Sequence, residues 1–315
     1  MSLHQYIKEH PHGSTILSYF WPRGPRVTYE RQTVTTPDDD FFHMDWLGKN
    51  ETGPLLIILH GLEGSSNATY MRRLAHLARQ SGYRVAALNH RSCSGEDNLT
   101  VRCYHSGFTD DLAQLIAKQA QEEPHTDIYL AGFSLGGSIL ANYLGRFNSV
   151  PQIKGAVICA APYFLAPGAQ ALQNGFTQVY ELKFLLSLKR KAKQKMKKHP
   201  EATPWALNTF KAKTLEDFDH YWTAPSFGFQ SSDDYYAQAS SAPYLKNISV
   251  PTLALHAADD PIVVPECVPE ALLNDNQKIR FEKYPFGGHM GFWEKESNWL
   301  SQQIINFLDK KKAGL

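Results

Sequence analysis

The stretch Asp127-Ile-Tyr-Leu-Ala-Gly-Phe-Ser-Leu-Gly-Gly137 admits few local structures. Ile128 to Leu130 is apolar and strand-like, while Gly137-Ser-Ile-Leu-Ala-Asn-Tyr-Leu144 reads as a helix, so the chain must turn sharply between them. At the turn stands Gly132-Phe-Ser-Leu-Gly136, a G-x-S-x-G pattern. A serine held in a strained turn from strand to helix has no room around it, so only hydrogen fits at the flanking positions Gly132 and Gly136. Ser134 is thereby pushed out at the carboxyl edge of a sheet. The Leu135 amide opens the following helix, whose positive end favours an oxyanion developing on whatever Ser134 attacks. The bland alternative, small residues that merely let a helix pack on a strand, loses weight because the strand and the helix are both legible.

The rest of the chain supplies a sheet for that turn. Leu55-Leu-Ile-Ile-Leu59 is a continuous apolar run, and its lack of alternation predicts burial on both faces, as in a parallel sheet covered by helices. A helix over Ala68 to Gln80, a strand over Arg84 to Leu88 and a helix over Thr109 to Gln121 lead to the strand before Ser134, giving a doubly wound α/β order. Upstream, Val27 to Thr35 and Phe41 to Leu47 read as an antiparallel hairpin at the polar edge of the sheet, joined by Pro37-Asp-Asp-Asp40. Residues 1–25 contain Trp21-Pro-Arg-Gly-Pro25, too proline-bound for a regular element, and are expected to lie along the surface.

After the strand Gly155 to Ala160 the alternation stops. From Ala166 to Tyr236 helical patterning and aromatics dominate, among them Phe176, Tyr180, Phe184, Trp205, Phe210, Phe218, Tyr221 and Trp222. The expected organisation is therefore a core in two parts, residues 1–165 and 237–315, with a helical cap over 166–236. Such a cap should roof the carboxyl edge of the sheet, where ligands of these folds bind. The α/β pattern resumes with a strand Thr252 to His256, a helix near Pro265 to Leu273, a strand Lys278 to Tyr284 and a closing helix from about Phe292 to Leu308.

Composition excludes more than it proposes. The 315 residues carry 32 Lys and Arg against 31 Asp and Glu, and this balance gives no argument for nucleic acid. Met1 to His10 lacks the apolar core of a signal peptide, and no apolar run spans a bilayer, so a cytoplasmic protein is expected. The cysteines Cys93, Cys103, Cys159 and Cys267 show no C-x-x-C spacing and fit a reducing compartment as free thiols.

A serine hydroxyl is a weak nucleophile and needs a base, which in turn needs an acid to hold its tautomer. In chain order after such a serine come acid, then histidine. Ala257-Ala-Asp-Asp-Pro261 follows a buried strand and puts two aspartates on a loop at the serine's sheet edge. Asp260, fixed by Pro261, is the candidate acid, and Asp259 is expected to brace the loop. Pro285-Phe-Gly-Gly-His289 follows the last strand as a flexible loop, making His289 the candidate base. His60 and His256 close strands at the same edge and stay as alternatives. No histidine pair has metal-ligand spacing, so neither metal nor cofactor is expected. The second oxyanion donor should come from His60-Gly-Leu-Glu-Gly-Ser65, where Gly61 permits close approach and leaves the Leu62 amide beside that of Leu135.

With these residues in place the sequence resembles the YheT-like group of the α/β-hydrolase superfamily, related to the mammalian abhydrolase-domain esterases and lipases. The resemblance runs through His60-Gly-Leu-Glu-Gly-Ser-Ser66, Asn89-His-Arg-Ser-Cys-Ser-Gly-Glu96, Tyr104-His-Ser-Gly107, the serine turn, and a segment from Asp219 to Asp259-Asp260. It implies an eight-stranded, mostly parallel doubly wound sheet with an inserted helical cap, and a Ser134, Asp260, His289 triad with carboxylic-ester hydrolase activity; the aromatic cap adds the expectation of small esters with apolar short- to medium-chain acyl groups. Ser92 departs from the group, which has glycine after the arginine. Thioesters and amides share the same acyl-transfer chemistry, and a binding protein that kept the fold is the alternative from another class. Labelling by a fluorophosphonate separates the last from the rest. Leu182, Leu185, Leu186, Ala192 and Met196 lie at helical spacings under a basic face within the cap. That pattern fits a lid helix packed on the core with solvated lysines, or peripheral contact with an anionic membrane. A monomer or weak homodimer is expected.

Overall fold

The computed structural model describes residues 10–20, 24–147, 150–292 and 298–314. The strands form where the apolar runs are: β1 Glu30–Thr35, β2 Phe41–Leu47, β3 Leu55–Leu59, β4 Arg84–Asn89, β5 Ile128–Phe133, β6 Ile153–Cys159, β7 Thr252–Ala257 and β8 Ile279–Tyr284. They make one eight-stranded sheet in the order β1-β2-β4-β3-β5-β6-β7-β8. The first two pairings, β1 with β2 and β2 with β4, are antiparallel, and the remaining five are parallel. Only half of the expected polar edge is found, because β1 is largely exposed whereas β2 is buried along six of its seven residues. Phe42, Met44 and Trp46 put β2 into the core, and its Asp45 is tied to Arg31 at 2.7 Å and to Asn89 at 2.9 Å.

Successive residues of β3 go to opposite faces, and both faces are covered. Leu55, Ile57 and Leu59 pack under helices α3 (Asp110–Glu122) and α4 (Leu135–Arg146), which contribute Leu112, Leu115, Ile116, Ile139 and Leu140. Leu56 and Ile58 meet α2 (Thr69–Gln80) and the closing helix α9 (Trp299–Lys312), through Met71, Leu74, Ala75, Ile304 and Leu308. The unalternating sequence of β3 is thus a strand with no solvent face. Strand order reverses around β3, since β4 lies on one side and β5 on the other; the crevice where ligands bind in such sheets opens there.

Three local expectations change. The segment before β1 is not irregular: Pro11–Phe20 is a helix, α1, whose first residue is a proline with its ring-fixed φ. Residues 21–23 of Trp21-Pro-Arg-Gly-Pro25 lie outside the described residues. The expected helix near Pro265 to Leu273 is split by Pro269 into a short turn, Pro265–Cys267, and α8, Glu270–Asp275. The closing helix begins at Trp299, and the part of its expected start over 293–297 lies outside the described residues, as does the N-terminus before His10.

From β6 to β7 the described chain forms helices alone: α5 (Ala166–Leu172), α6 (Gln178–Lys198), several short turns, and α7 (Ser232–Ala239). Of the apolar stripe on α6, Leu185 and Ala192 point inward, but Leu182 and Leu186 are 57% and 61% exposed. The basic face is not wholly solvated either. Lys195 is fully buried, donating to Asn98 O, Asn98 Oδ1 and Thr100 O at 2.6, 2.7 and 2.6 Å, and burial lowers its pKa. Among the described residues no helix is long and apolar enough to cross a membrane.

Candidate active site

Ser134 leaves β5 with φ 52° and ψ −122°, a conformation that a side-chain-bearing residue rarely holds, and its amide donates to Cys159 O on β6 at 2.8 Å. The steric reading of its glycines is met. A Cβ on Gly132 would come within 2.5 Å of the Gly136 carbonyl oxygen, and one on Gly136 within 2.5 Å of the His60 carbonyl oxygen. The serine turn therefore sits pressed against the loop that follows β3.

His289, from the loop after β8, joins Ser134 to Asp260. Its Nε2 lies 3.0 Å from Ser134 Oγ and its Nδ1 2.9 Å from Asp260 Oδ2. Asp260 is buried, and its other oxygen, Oδ1, accepts the amides of Ile262 and Val263 at 2.8 and 2.9 Å. Burial opposes ionisation of this carboxyl, but His289, His256 and the Val263 amide hold its pKa below the ordinary carboxylate range. Asp259 turns the other way and accepts the Gly288 amide at 2.8 Å. The two aspartates thus face different groups, one the imidazole and the other the backbone of its loop.

The alternative histidines differ in their surroundings. His60 Nδ1 bonds Gly61 O at 2.8 Å and its Nε2 accepts the His90 amide at 3.1 Å, while burial drops its pKa to about 4. His256 is buried, burial also lowers its pKa, and neither ring nitrogen has a partner among the described residues. Among the described residues neither is hydrogen-bonded to Ser134, whose hydroxyl faces His289.

Around Leu62 the neighbouring amides are occupied: Gly61 N–H donates to Tyr70 OH at 2.9 Å and Glu63 N–H to Tyr104 OH at 3.0 Å. Among the described residues the amides of Leu62 and Leu135 form no hydrogen bond. Leu135 is in the first turn of α4, where helical amides lack partners by geometry. Two free donors therefore adjoin the serine.

A cavity of about 140 Å³ opens onto Ser134, Leu62 and Leu135. From the helices between β6 and β7 come Leu172, Phe184, Leu188, Phe218 and Trp222, so this segment covers the serine side of the sheet with apolar surface. Not every aromatic there takes part, since Phe176 and Phe210 are 49% and 39% exposed.

One site element was not visible in the sequence. Ser14 and Thr15 of α1 hold the histidine loop: Ser14 Oγ donates to Gly287 O at 3.0 Å, and Thr15 Oγ1 accepts the His289 amide at 2.9 Å. Pro11 at the first helical position was the signal that could have found α1. Ser92 stands where the resemblance expects glycine. It adopts φ 61°, in the left-handed region that glycine fills without strain, and its hydroxyl donates to Asn98 Oδ1 at 2.6 Å.

Comparison with known proteins agrees with this architecture. A family model described as the alpha/beta hydrolase fold matches residues 54–296. YheT of Escherichia coli, provisionally named an esterase, is 33% identical over 94% of this chain and 89% of its own length. Human phospholipase ABHD3 is 28% identical over 94% of this chain and 75% of its own. Among solved structures, the esterase Pf2001 of Pyrococcus furiosus superposes with a TM-score of 0.61 at 18% identity, covering 93% of this chain and 98% of that one, a likeness of fold. The chain belongs to the α/β-hydrolase fold family, in the group that includes YheT.

Proposed function

We propose that this protein is a carboxylic ester hydrolase that works through an acyl-enzyme on Ser134. The observation carrying the proposal is His289, within hydrogen-bond reach of both Ser134 Oγ and Asp260 under a largely apolar cavity. The relatives' names, esterase and phospholipase, support esters as the substrate class. In the first half-reaction Ser134 Oγ attacks the ester carbonyl carbon and passes its proton to His289 Nε2. The carbonyl electrons move to oxygen, and the Leu62 and Leu135 amides receive the resulting anion. Collapse expels the alcohol, which takes the proton from His289. Water then attacks the acyl-enzyme by the same route and releases the acid. Asp260 keeps the His289 proton on Nδ1 and stabilises the imidazolium.

The cavity sets the expected preference. Its lining is mostly apolar, and the charged side chains in it, Glu63, Lys191, Lys195 and Asp219, have partners of their own, so it has little to offer a charged acyl group. Uncharged short- to medium-chain acyl esters are therefore the proposed substrates. The test is a panel of esters varied in acyl length and charge, with Ser134→Ala as the blank. Hydrolysis should peak on uncharged apolar acyl groups; equal rates on charged ones would remove the proposed preference, and activity in the blank would remove the mechanism.

A further inference from the structure

Glu63 follows Leu62 in the loop after β3 and has a buried carboxylate that the chemistry above does not use. Its side chain is 6% exposed, and its backbone takes φ 53°. Tyr104 OH clasps it twice, accepting its amide proton at 3.0 Å and donating to its Oε1 at 2.8 Å. The other contacts come from α6, more than a hundred residues later: Lys191 Nζ donates to Oε1 at 2.6 Å and Ser187 Oγ donates to Oε2. Lys191 also lies 3.2 Å from Cys93 Sγ and 5.7 Å from the centre of the Tyr104 ring. Burial disfavours charge on Lys191, but Cys93 and Glu63 more than offset this and hold the ammonium above its ordinary range.

Two physical consequences meet at Leu62. Its preceding residue is fixed to α2 through Tyr70 and its following residue to Tyr104 and α6, so the direction of the Leu62 amide depends on both anchors. A carboxylate one residue from a developing oxyanion would also oppose it, unless a cation neutralises the carboxylate. Lys191 does this from the helical segment.

We propose that Glu63 is a positioning residue for the oxyanion donor Leu62, and that α6, through Lys191 and Ser187, holds it competent. The arrangement of the covering helices and the electrophilic half of the site are then one device: a shift of α6 weakens oxyanion binding even where the ester is still bound. This rests on the reading of Ser134 as nucleophile and Leu62 as donor.

The test uses the full chain. Turnover and KM on a small uncharged ester are measured for Lys191→Met, Lys191→Arg and Ser187→Ala, with Ser134→Ala as the blank. Alongside is the inhibition constant of a trifluoromethyl ketone, whose carbonyl carbon bonds to Ser134 Oγ while the Oγ proton goes to His289 and the carbonyl oxygen becomes an anion. Lys191→Met should lose about 100-fold in turnover. Its KM should stay within about twofold, because the donor acts on the transition state rather than on the bound ester. Affinity for the ketone should fall in proportion to turnover, and Lys191→Arg should restore most of both. Ser187→Ala should show the same split with a smaller loss, and it decides the matter if Lys191→Met does not fold. Normal turnover and ketone affinity in folded variants, or a rise in KM alone, would overturn the inference while an inactive blank leaves the nucleophile reading intact. Activity in the blank would overturn both.

Discussion

Asp259 and Asp260 are chemically identical and adjacent, yet their surroundings assign them different work. Asp260 Oδ1 is filled by two backbone amides, which aims Oδ2 at His289, whereas Asp259 spends its Oδ1 on the Gly288 amide. On the proposed mechanism Asp260→Asn should lower turnover roughly ten-thousandfold at neutral pH, the scale of a triad histidine left in the wrong tautomer. Asp259→Asn should cost far less, and steady-state rates on one small ester for the two variants check the order. The choice of Asp260 was legible because Pro261 follows it. Backbone strain at Ser134 was legible from its glycines. The contacts of Glu63 were not, since nothing local shows that Lys191 and Ser187 will reach it from α6.

At the scale of elements, α1 and the helices between β6 and β7 are where reading from sequence ran short. A ten-residue helix with a weak stripe gives little periodic signal, and its two site contacts are to a loop 273 and 274 positions away. Thr15→Val removes the acceptor of the His289 amide and should destabilise the fold by about 1 kcal/mol, read by chemical denaturation. Turnover should drop with it more than KM does. The helical segment also carries a pH signature. Burial raises the pKa of Asp219, which accepts from Thr223 and Tyr236, to about 6. The unfolded chain releases that proton near pH 4, so between about pH 4 and 6 the folded state binds the extra proton. The Asp219 contribution is thus fully present at the acid end of that window and is lost as pH rises through about 6. Asp219→Asn should flatten this slope of stability against pH; an unchanged slope would show that Asp219 ionises at its ordinary pKa.

For the whole molecule, the decisive information lies in two patterns: apolar runs without alternation, which need helices on both faces, and the strand-turn-helix around Ser134. Together they lead to a parallel sheet with a crevice beside β3, and the sheet order has that form. Helix α7 spans Ser232–Ala239, across the residue at which the helical segment was expected to end. Replacing residues 166–236 by a Gly-Ser linker in a chain that still folds should collapse discrimination between a very small ester and a longer apolar one, since Leu172, Phe184, Leu188, Phe218 and Trp222 leave the cavity's lining with the segment. The central claim is that Ser134 is an activated nucleophile, and intact-mass analysis after exposure to a fluorophosphonate tests it most directly. The native chain should gain one phosphonyl group, with peptide mapping placing it on Ser134, while Ser134→Ala gains none and hydrolyses no ester. A native chain left unmodified, or a Ser134→Ala chain labelled and active to the same extent, would contradict it.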